Sequence, residues 1–517
     1  MQQNTLVVSV SFARALNQGP MVWIAPLLAG AVTPLAFAPF ELSLLIIPSL
    51  MMLFHHWLTL SPKQAFRSGY LFGLGMFAVG CSWVFVSMYN FGGLGLLGSG
   101  AATFAFVAFL ALFPAGAGGL VAMLRGQCPH LWQQLLLLAS AWAGYELFRG
   151  WFLTGFPWLS SGVSQLGTPL SGFAPLWGVY GISWLLALSA GLLLMWLYQR
   201  RAGWRYGAGV VLLWLSGGLL QQVEWTAPQG EPLQVSAMQG NVGLDIKWNP
   251  EQRSENFHLY ADLTASHWQS DIVLWPETAM TAFLHQVEDN IDDFIATARE
   301  SETTVITGIP MVDPEMRRYY NGIVAFSDET SRYYKRHLVP FGEYIPLEPL
   351  IGRVLEFMSI PMSSFSAGSD EQDTLHGAGI EIGASICYEI AFAEEMIQSL
   401  PKANLLVNVS NDAWFDGSLA PYQHLQMAQL RALESERWIV RATNTGISAI
   451  IDDNGQIRHA SPQNEIYVVR GEVQPRQGAT PYVLWANWPV FVLVSGVLLW
   501  FAVAWYRAVL LTRRVIA

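Results

Sequence analysis

The sequence predicts a chain of two unlike parts: a bundle of about eight membrane-spanning helices and an α/β domain inserted before the last of them. Composition is the first reason. Of the 517 residues 52% are hydrophobic and 22 are Trp, too apolar for a wholly soluble protein, and the length exceeds one ordinary domain. Charge is the second: before Gly230 the only acidic residues are Glu41, Glu146 and Glu224, so the negative charge behind the net -11 belongs to the chain beyond Gly230. Third, apolar runs recur at the length needed to cross the roughly 30 Å hydrocarbon core of a bilayer. The acidic part has no basic stripe of the kind that nucleic-acid binding requires, so no DNA or RNA partner is expected.

In chain order the runs lie near Met21 to Pro39, Leu42 to Leu60, Gly69 to Met88, Ala101 to Leu124, Leu131 to Leu147, Leu176 to Tyr198, Tyr206 to Leu220 and Trp488 to Tyr506. Cytoplasmic loops carry an excess of Lys and Arg. With the N-terminus inside, Arg14, Lys63, Arg67, Arg125, Arg200, Arg201, Arg205, Arg507, Arg513 and Arg514 all fall in the cytoplasm, and Arg149 alone falls outside. Seven crossings then deliver the α/β domain to the opposite face, and the eighth returns the basic tail. Ala36-Phe37-Ala38 matches a signal-peptidase site, but Pro39 directly after it and the six further spans before the domain favour a retained first helix. The expected divisions are residues 1–229 for the transmembrane part with about seven helices, 230–478 for the α/β domain, and 479–517 for the last transmembrane helix and its basic tail.

Within that domain short β-branched runs alternate with helix-length segments. Strands are expected at Leu233 to Met238, Asp271 to Trp275, Thr304 to Ile309, Gly322 to Ser327, Ile380 to Ile386 and Leu405 to Val409. Half-buried helices are expected at Gln252 to Gln269, Ile291 to Glu300, Ile390 to Gln398 and Gln423 to Arg441. A hairpin is expected around Asp453-Asn454-Gly455, from Ile447 to Ile451 and from Gln456 to His459.

Chemistry-bearing residues stand after three strands. Trp275-Pro276-Glu277 leaves a carboxylate at a strand end, Lys335 opens a loop that runs to Glu343, and Ser385-Ile386-Cys387-Tyr388-Glu389 sets a thiol after an apolar strand. In open α/β architectures active sites gather at the carboxyl ends of strands. A cysteine attacks a carbonyl as thiolate, which needs a base or a cation nearby. Glu277 can take the proton, Lys335 can hold the negative oxygen of a tetrahedral intermediate, and the Tyr388 backbone N–H can add a donor. Each residue taken singly also has a plain structural reading: Pro-Glu as a solvated loop, Lys335 as part of a basic cluster with Arg332 and Arg336, Glu343 as its ion-pair partner, Tyr388 as packing. Cys81 and Cys128 read as inert buried residues. Trp275 and Trp414 read as core or pocket wall.

The Trp-Pro-Glu element, the Lys followed after seven residues by Glu, and Cys-Tyr-Glu together resemble the Glu-Lys-Cys triad of the nitrilase, or carbon–nitrogen hydrolase, superfamily. With the spans around that domain, the chain resembles the apolipoprotein N-acyltransferase family essentially end to end. The resemblance takes in Thr154-Gly155-Phe156-Pro157-Trp158 and Ser410-Asn411-Asp412-Ala413-Trp414-Phe415. It implies a nitrilase-like α-β-β-α sandwich. It also implies a two-step exchange in which Cys387 takes the sn-1 acyl chain of a membrane phospholipid as a thioester. The amino group of a diacylglyceryl-cysteine apolipoprotein then takes that chain as an amide. On this resemblance Glu277 is base, Lys335 stabilises the intermediate, and Glu343, Tyr388, Glu389 and Trp248 support the site. A monomer is expected, multi-pass in a bacterial inner membrane with the catalytic domain periplasmic.

The link between Leu347 and Phe365 is very apolar. It reads either as core or as a lid, with Phe357 and Met358 at its centre, that dips into the outer leaflet and admits acyl chains. The Thr154 to Trp158 loop reads either as an aromatic interface anchor or as the lining of a lipid entrance. No metal and no cofactor are expected: the histidines, His55, His56 and His424 included, lack metal-site spacing, and there is no P-loop or dinucleotide fingerprint. Two rival functions remain. A membrane-tethered nitrilase-type amidase shares the triad, and a transporter or scaffold would place more charge inside the spans than Glu146.

Overall fold

The computed structural model describes residues 16–199, 203–313, 318–345, 365–415 and 417–516. Phe357 and Met358 lie outside the described residues. The chain divides into two compact units, Met1–Ser82 with Ala101–Val223 and Trp485–Ala517, and Trp83–Gly100 with Glu224–Leu484.

The first unit is helical. Its long elements include Met21–Val32, Ile46–Thr59, Pro62–Gly80, Leu112–Leu124, Leu131–Trp151, Ala174–Tyr198, Trp204–Leu220 and Trp488–Ile516. Among the described residues, Gly95–Gln127, Pro169–Tyr198 and Trp488–Leu511 are long and apolar enough to cross a membrane. Met21–Ala36 and Ser43–Thr59 are shorter apolar helices. Close approach is set by small residues, as is usual where no hydrophobic drive separates helix from lipid. A Cβ on Gly75 would stand 2.1 Å from the Leu27 carbonyl oxygen, and one on Gly69 would stand 2.3 Å from that of Pro114. Helix Pro62–Gly80 therefore meets its neighbours backbone to backbone.

Two expectations change here. The stretch Gly69 to Met88 is not one helix: it breaks at Cys81-Ser82, and Trp83–Gly100 groups with the second unit. There Trp83 meets Phe415 at 4.9 Å and Phe91 meets Trp414 at 5.1 Å between ring centroids. Trp158 is buried, so it does not serve as an interface anchor. Its loop is held by two ionisable side chains of helix Leu131–Trp151, both fully buried. The Arg149 guanidinium donates to the Trp158 carbonyl at 2.5 Å and to that of Phe156, and the Glu146 carboxylate accepts from the Ser161 N–H at 2.9 Å. A polar chain segment among apolar helices must satisfy its backbone groups internally, and these two residues supply the partners.

The second unit is built on two six-stranded sheets. Its strands are β1 (Thr226–Pro228), β2 (Leu233–Gln239), β3 (Ile272–Leu274), β4 (Thr304–Asp313), β5 (Arg318–Phe326), β6 (Ser331–Tyr334), β7 (Leu375–Gly377), β8 (Ile380–Ile386), β9 (Leu405–Ser410), β10 (Ile439–Thr443), β11 (Ala449–Ile451), β12 (Ile457–Ala460), β13 (Tyr467–Val473) and β14 (Arg476–Gly478). One sheet runs β13-β2-β3-β4-β5-β6, the other β12-β11-β10-β9-β8-β7, and β1 pairs with β14. Each sheet has a parallel centre, β2-β3-β4 or β8-β9-β10, flanked by antiparallel strands.

Side-chain alternation along each strand explains the layers. Val235, Leu274 and Ile306 of the first sheet and Ile382, Val407 and Val440 of the second form one core between the sheets. The alternate residues face outward. Val273 and Val305 join Tyr260 and Ile291 of helices Arg253–Ala265 and Leu284–Glu300, while Leu406 and Ile439 join Leu425 and Ala428 of helix Ala420–Ser435. The order of layers is α-β-β-α.

The strands expected at Ile380 to Ile386 and Leu405 to Val409 form there, and so does the hairpin, as β11 and β12. The helix expected to reach Arg441 stops at Ser435. Glu436 takes a left-handed φ of 45°, and Ile439, Val440 and Thr443, β-branched residues suited to a buried pleated surface, continue as β10. Leu405 is fully buried between the sheets. Leu405→Ala is expected to cost about 2–5 kcal/mol, read as a lower thermal midpoint of the detergent-solubilised protein; an unchanged midpoint would mean that this core does not govern unfolding.

Candidate active site

Glu277, Lys335 and Cys387 each stand just beyond a strand: Glu277 past β3, Lys335 past β6 and Cys387 past β8. Pro276 ends the ladder of β3 because it lacks an N–H to donate. The turn it makes lies flat on β4, where a Cβ on Gly308 would stand 2.6 Å from both the Glu277 Cα and the Pro276 oxygen. Cys387 has φ +51° and opens a 3-10 turn, Cys387–Ala391. Left-handed backbone on a residue with a Cβ is uncommon and has to be held by its surroundings.

The structure brings the three together. The Lys335 side chain is only 1% exposed, and its Nζ lies 3.7 Å from Glu277 Oε1 and 2.9 Å from Glu343 Oε2. Asn321 on β5 ties the carboxylates to each other: its Nδ2 donates to Glu277 Oε1 at 2.7 Å and to Glu343 Oε1 at 3.0 Å. Glu343 also accepts the Val339 N–H at 2.8 Å, so it belongs to the ion pair that holds Lys335. Burial by itself would lower the Lys335 pKa, but Glu343, Glu277 and the Cys387 sulfur outweigh it and hold the ammonium well above its ordinary value. Lys335 stays charged.

The Cys387 thiol is pushed up to about 12, first by burial and then by the Glu277 carboxylate, with Lys335 acting in the opposite sense. The resting thiol is therefore neutral at physiological pH. A proton moved from the thiol to Glu277 would remove the charge that opposes the thiolate while leaving Lys335 in place.

Glu389 fastens the Lys-bearing loop to the Cys-bearing turn. It accepts from the Ile386 N–H at 2.6 Å, the Arg336 N–H at 2.6 Å, the His337 N–H at 3.2 Å and the Tyr333 hydroxyl at 3.0 Å. Burial raises its pKa to about 7 against the pull of those donors. The Tyr388 ring packs on Phe392 and His337 at 5.0 and 5.6 Å, so its side chain is wall rather than reagent. Trp248 lines a cleft of about 140 Å³ that also takes in Glu277, Glu343, Asn321 and Trp414. Trp275 is fully buried in the core. Cys81 and Cys128 are buried and free. Among the described residues no group of three His, Cys, Asp or Glu could hold a metal ion.

Several neighbours of the site carry no signal of it in the sequence. Asn321 stands one residue before the strand expected at Gly322 to Ser327, and the structure sets it within β5. Lys247 is buried with its Nζ 3.0 Å from the Glu277 carbonyl oxygen; burial lowers its pKa to about 8, and Glu277 partly offsets this. Asp412, His424 and Arg441 form a buried cluster behind Cys387. Of these, Asp412 falls within the Ser410 to Phe415 motif, while the spacing of His424 supports only a structural reading.

Residues 234–482 match the family model described as carbon-nitrogen hydrolase, and the second unit is a domain of that class. Residues 29–192 match the apolipoprotein N-acyltransferase N-terminal domain. The apolipoprotein N-acyltransferase of Methylococcus capsulatus is 46% identical over 476 residues, 91% of this chain and 94% of its own. That of Pseudomonas syringae pv. tomato is 41% identical over 90% of this chain and 94% of its own. Among solved structures, Saccharomyces cerevisiae Nit3, a member of branch 10 of the nitrilase superfamily, aligns with 49% of this chain and 93% of its own at 16% identity, with a TM-score of 0.37. The chain belongs to the apolipoprotein N-acyltransferase family.

Glu277→Gln separates the two effects of the carboxylate. Removing its charge lowers the thiol pKa, so the pH profile of Cys387 alkylation by iodoacetamide should move to lower pH. Turnover should fall by roughly 10²–10⁴-fold through loss of the base. An alkylation profile that stays in place or moves up would contradict the electrostatic coupling of Glu277 to the thiol.

Proposed function

We propose that this chain transfers an acyl chain from a membrane phospholipid, through a Cys387 thioester, to the N-terminal amino group of a diacylglyceryl-cysteine apolipoprotein. The observation that carries this reading is geometric: a buried Lys335 with its Nζ 3.7 Å from the Glu277 carboxylate, converging from one sheet on the Cys387 strand end of the other, in a chain of the N-acyltransferase family.

In the first step the Cys387 S–H proton passes to Glu277 as sulfur bonds to the ester carbonyl carbon. The carbonyl electrons move onto oxygen, where Lys335 and the Tyr388 backbone N–H stabilise them. Collapse breaks the acyl C–O bond, Glu277 returns the proton to the leaving glyceryl oxygen, and lysophospholipid departs. In the second step the acceptor amine attacks the thioester and gives its proton to Glu277. The C–N bond forms, the C–S bond breaks, and the sulfur recovers the proton. Glu343 keeps Lys335 in place, Glu389 keeps the two loops together, and Trp248 lines the approach. No cofactor enters either step.

The membrane setting belongs to the same reading. About seven helices in residues 1–229 and one in 479–517 would carry the domain of residues 230–478 on the periplasmic side of a bacterial inner membrane, with the basic loops and tail inside and the protein acting as a monomer. The carbon–nitrogen hydrolase domain taken alone also fits a membrane-tethered amidase, which would release its acyl group to water.

Intact mass decides between them. Incubated with phospholipid and no acceptor, wild type should gain one acyl chain, Cys387→Ser should gain none, and a diacylated lipopeptide should discharge the adduct as it becomes triacylated. No adduct on wild type, with fatty acid released and lipopeptide unchanged, would return the amidase to the front.

A further inference from the structure

Behind the nucleophile lies a buried cluster that the two-step exchange does not use. His424, on helix Ala420–Ser435, has Nε2 3.0 Å from the Cys387 carbonyl oxygen. Its Nδ1 lies 2.9 Å from an Arg441 terminal nitrogen and 3.0 Å from Asp412 Oδ1. Arg441 also donates to Asp412 Oδ2 at 3.0 Å and to Asn408 Oδ1, and the Ser410 hydroxyl donates to Asp412 Oδ1 at 2.9 Å. His424, Asp412 and Arg441 are at most 2% exposed.

Donor and acceptor chemistry fixes one ring nitrogen. A carbonyl oxygen only accepts, so Nε2 carries a proton, while Nδ1 is held between the Arg441 guanidinium and the Asp412 carboxylate. Burial and the Arg441 charge lower the imidazole pKa, and the Asp412 carboxylate opposes them. Asp412, held well below the usual carboxylate range by Arg441 and His424 despite its burial, stays ionised and keeps Arg441 in place.

The Cys387–Tyr388 peptide is trans and planar, so its N–H points opposite to its C=O. Whatever grips the Cys387 oxygen on one side therefore aims the Tyr388 N–H at the other. It also opposes relaxation of the left-handed Cys387 backbone. We infer that His424, locked as an Nε2–H donor by Arg441 and Asp412, is a positioning residue that holds the 387–388 peptide so that the Tyr388 N–H faces the oxyanion of the acyl-transfer intermediates.

This rests on the thioester reading, and the test keeps the two apart. His424→Gln retains an amide N–H near the Nε2 position, while His424→Asn ends one carbon short. Each purified variant is given phospholipid alone, and three rates are followed: thioester formation by intact mass, lysophospholipid release, and Cys387 alkylation by iodoacetamide, which needs the thiol and no oxyanion donor. Thioester formation should fall about 10- to 100-fold in His424→Asn, less than the 10²–10³ lost with an oxyanion donor itself. The loss should lie in kcat with the lipid KM unchanged, alkylation should keep its wild-type rate, and His424→Gln should recover most of the activity. Alkylation falling in parallel with acylation would make His424 merely structural and overturn the proposal, as would undiminished acylation in His424→Asn. If His424→Asn does not fold, His424→Gln still decides, because a tenfold loss there overturns it. Absence of a thioester on wild type would instead count against the acyl-transfer reading.

Discussion

One buried cation organises the catalytic domain. Lys335 is almost wholly removed from water, and an ammonium there is tolerable only if opposite charge meets it. Glu277 and Glu343 supply that charge, Asn321 spaces them, and Val339 orients the second through its backbone. The domain thus cannot place the lysine without also placing the base. Breaking such a pair by removing one partner costs about 3–5 kcal/mol, so fold and chemistry are coupled at this point.

The two sheets give the cluster its convergence. Glu277 leaves the sheet containing β3 and β6, as Lys335 does, while Cys387 leaves the other. The two sheets share apolar packing and a few hydrogen bonds, such as the Thr443 hydroxyl on β10 to Gln239 on β2 and the Ala378 N–H to Thr304 on β4. Glu389 adds a directional constraint at the site: four donors from both sheets meet on a single carboxylate, so the thiol and the ammonium keep a common frame. Its position directly after Cys387-Tyr388 marks it in the sequence, but its partners do not announce themselves, because three of the four belong to the other sheet, on β6 and the loop after it.

That difference describes what is legible in the sequence. Glu277 and Cys387 stand at the ends of apolar β-branched runs and can be read as strand-end groups without any knowledge of how the strands are ordered; Lys335 follows the polar and aromatic Ser331-Arg332-Tyr333-Tyr334 and is marked instead by its spacing to Glu343. Residues that act through a partner are not legible. Asn321 carries no mark in the sequence of the two carboxylates that its side chain joins. Arg441 continues a helical period until Glu436 turns left-handed and ends it. Trp158 looks like an interface anchor because sequence shows its aromaticity and not the Arg149 guanidinium that draws its carbonyl inward. For Asn321 and Trp158 the deciding interaction joins positions whose proximity only the folded chain creates.

A neutral resting thiol also shapes the chemistry. A permanent thiolate would react with any electrophile that reached it and would gain little from Glu277. In the proposed exchange ionisation is deferred until a carbonyl carbon is in place, and the same carboxylate would then serve each half, taking a proton from the entering nucleophile and giving one to the leaving group. Because that shuttle does not distinguish a glyceryl oxygen from an amine, it does not distinguish either from water. Selectivity for transfer over hydrolysis must therefore come from what the cleft beside Trp248 admits and excludes, and from how long the acylated site stays dry, rather than from Glu277, Lys335 and Cys387.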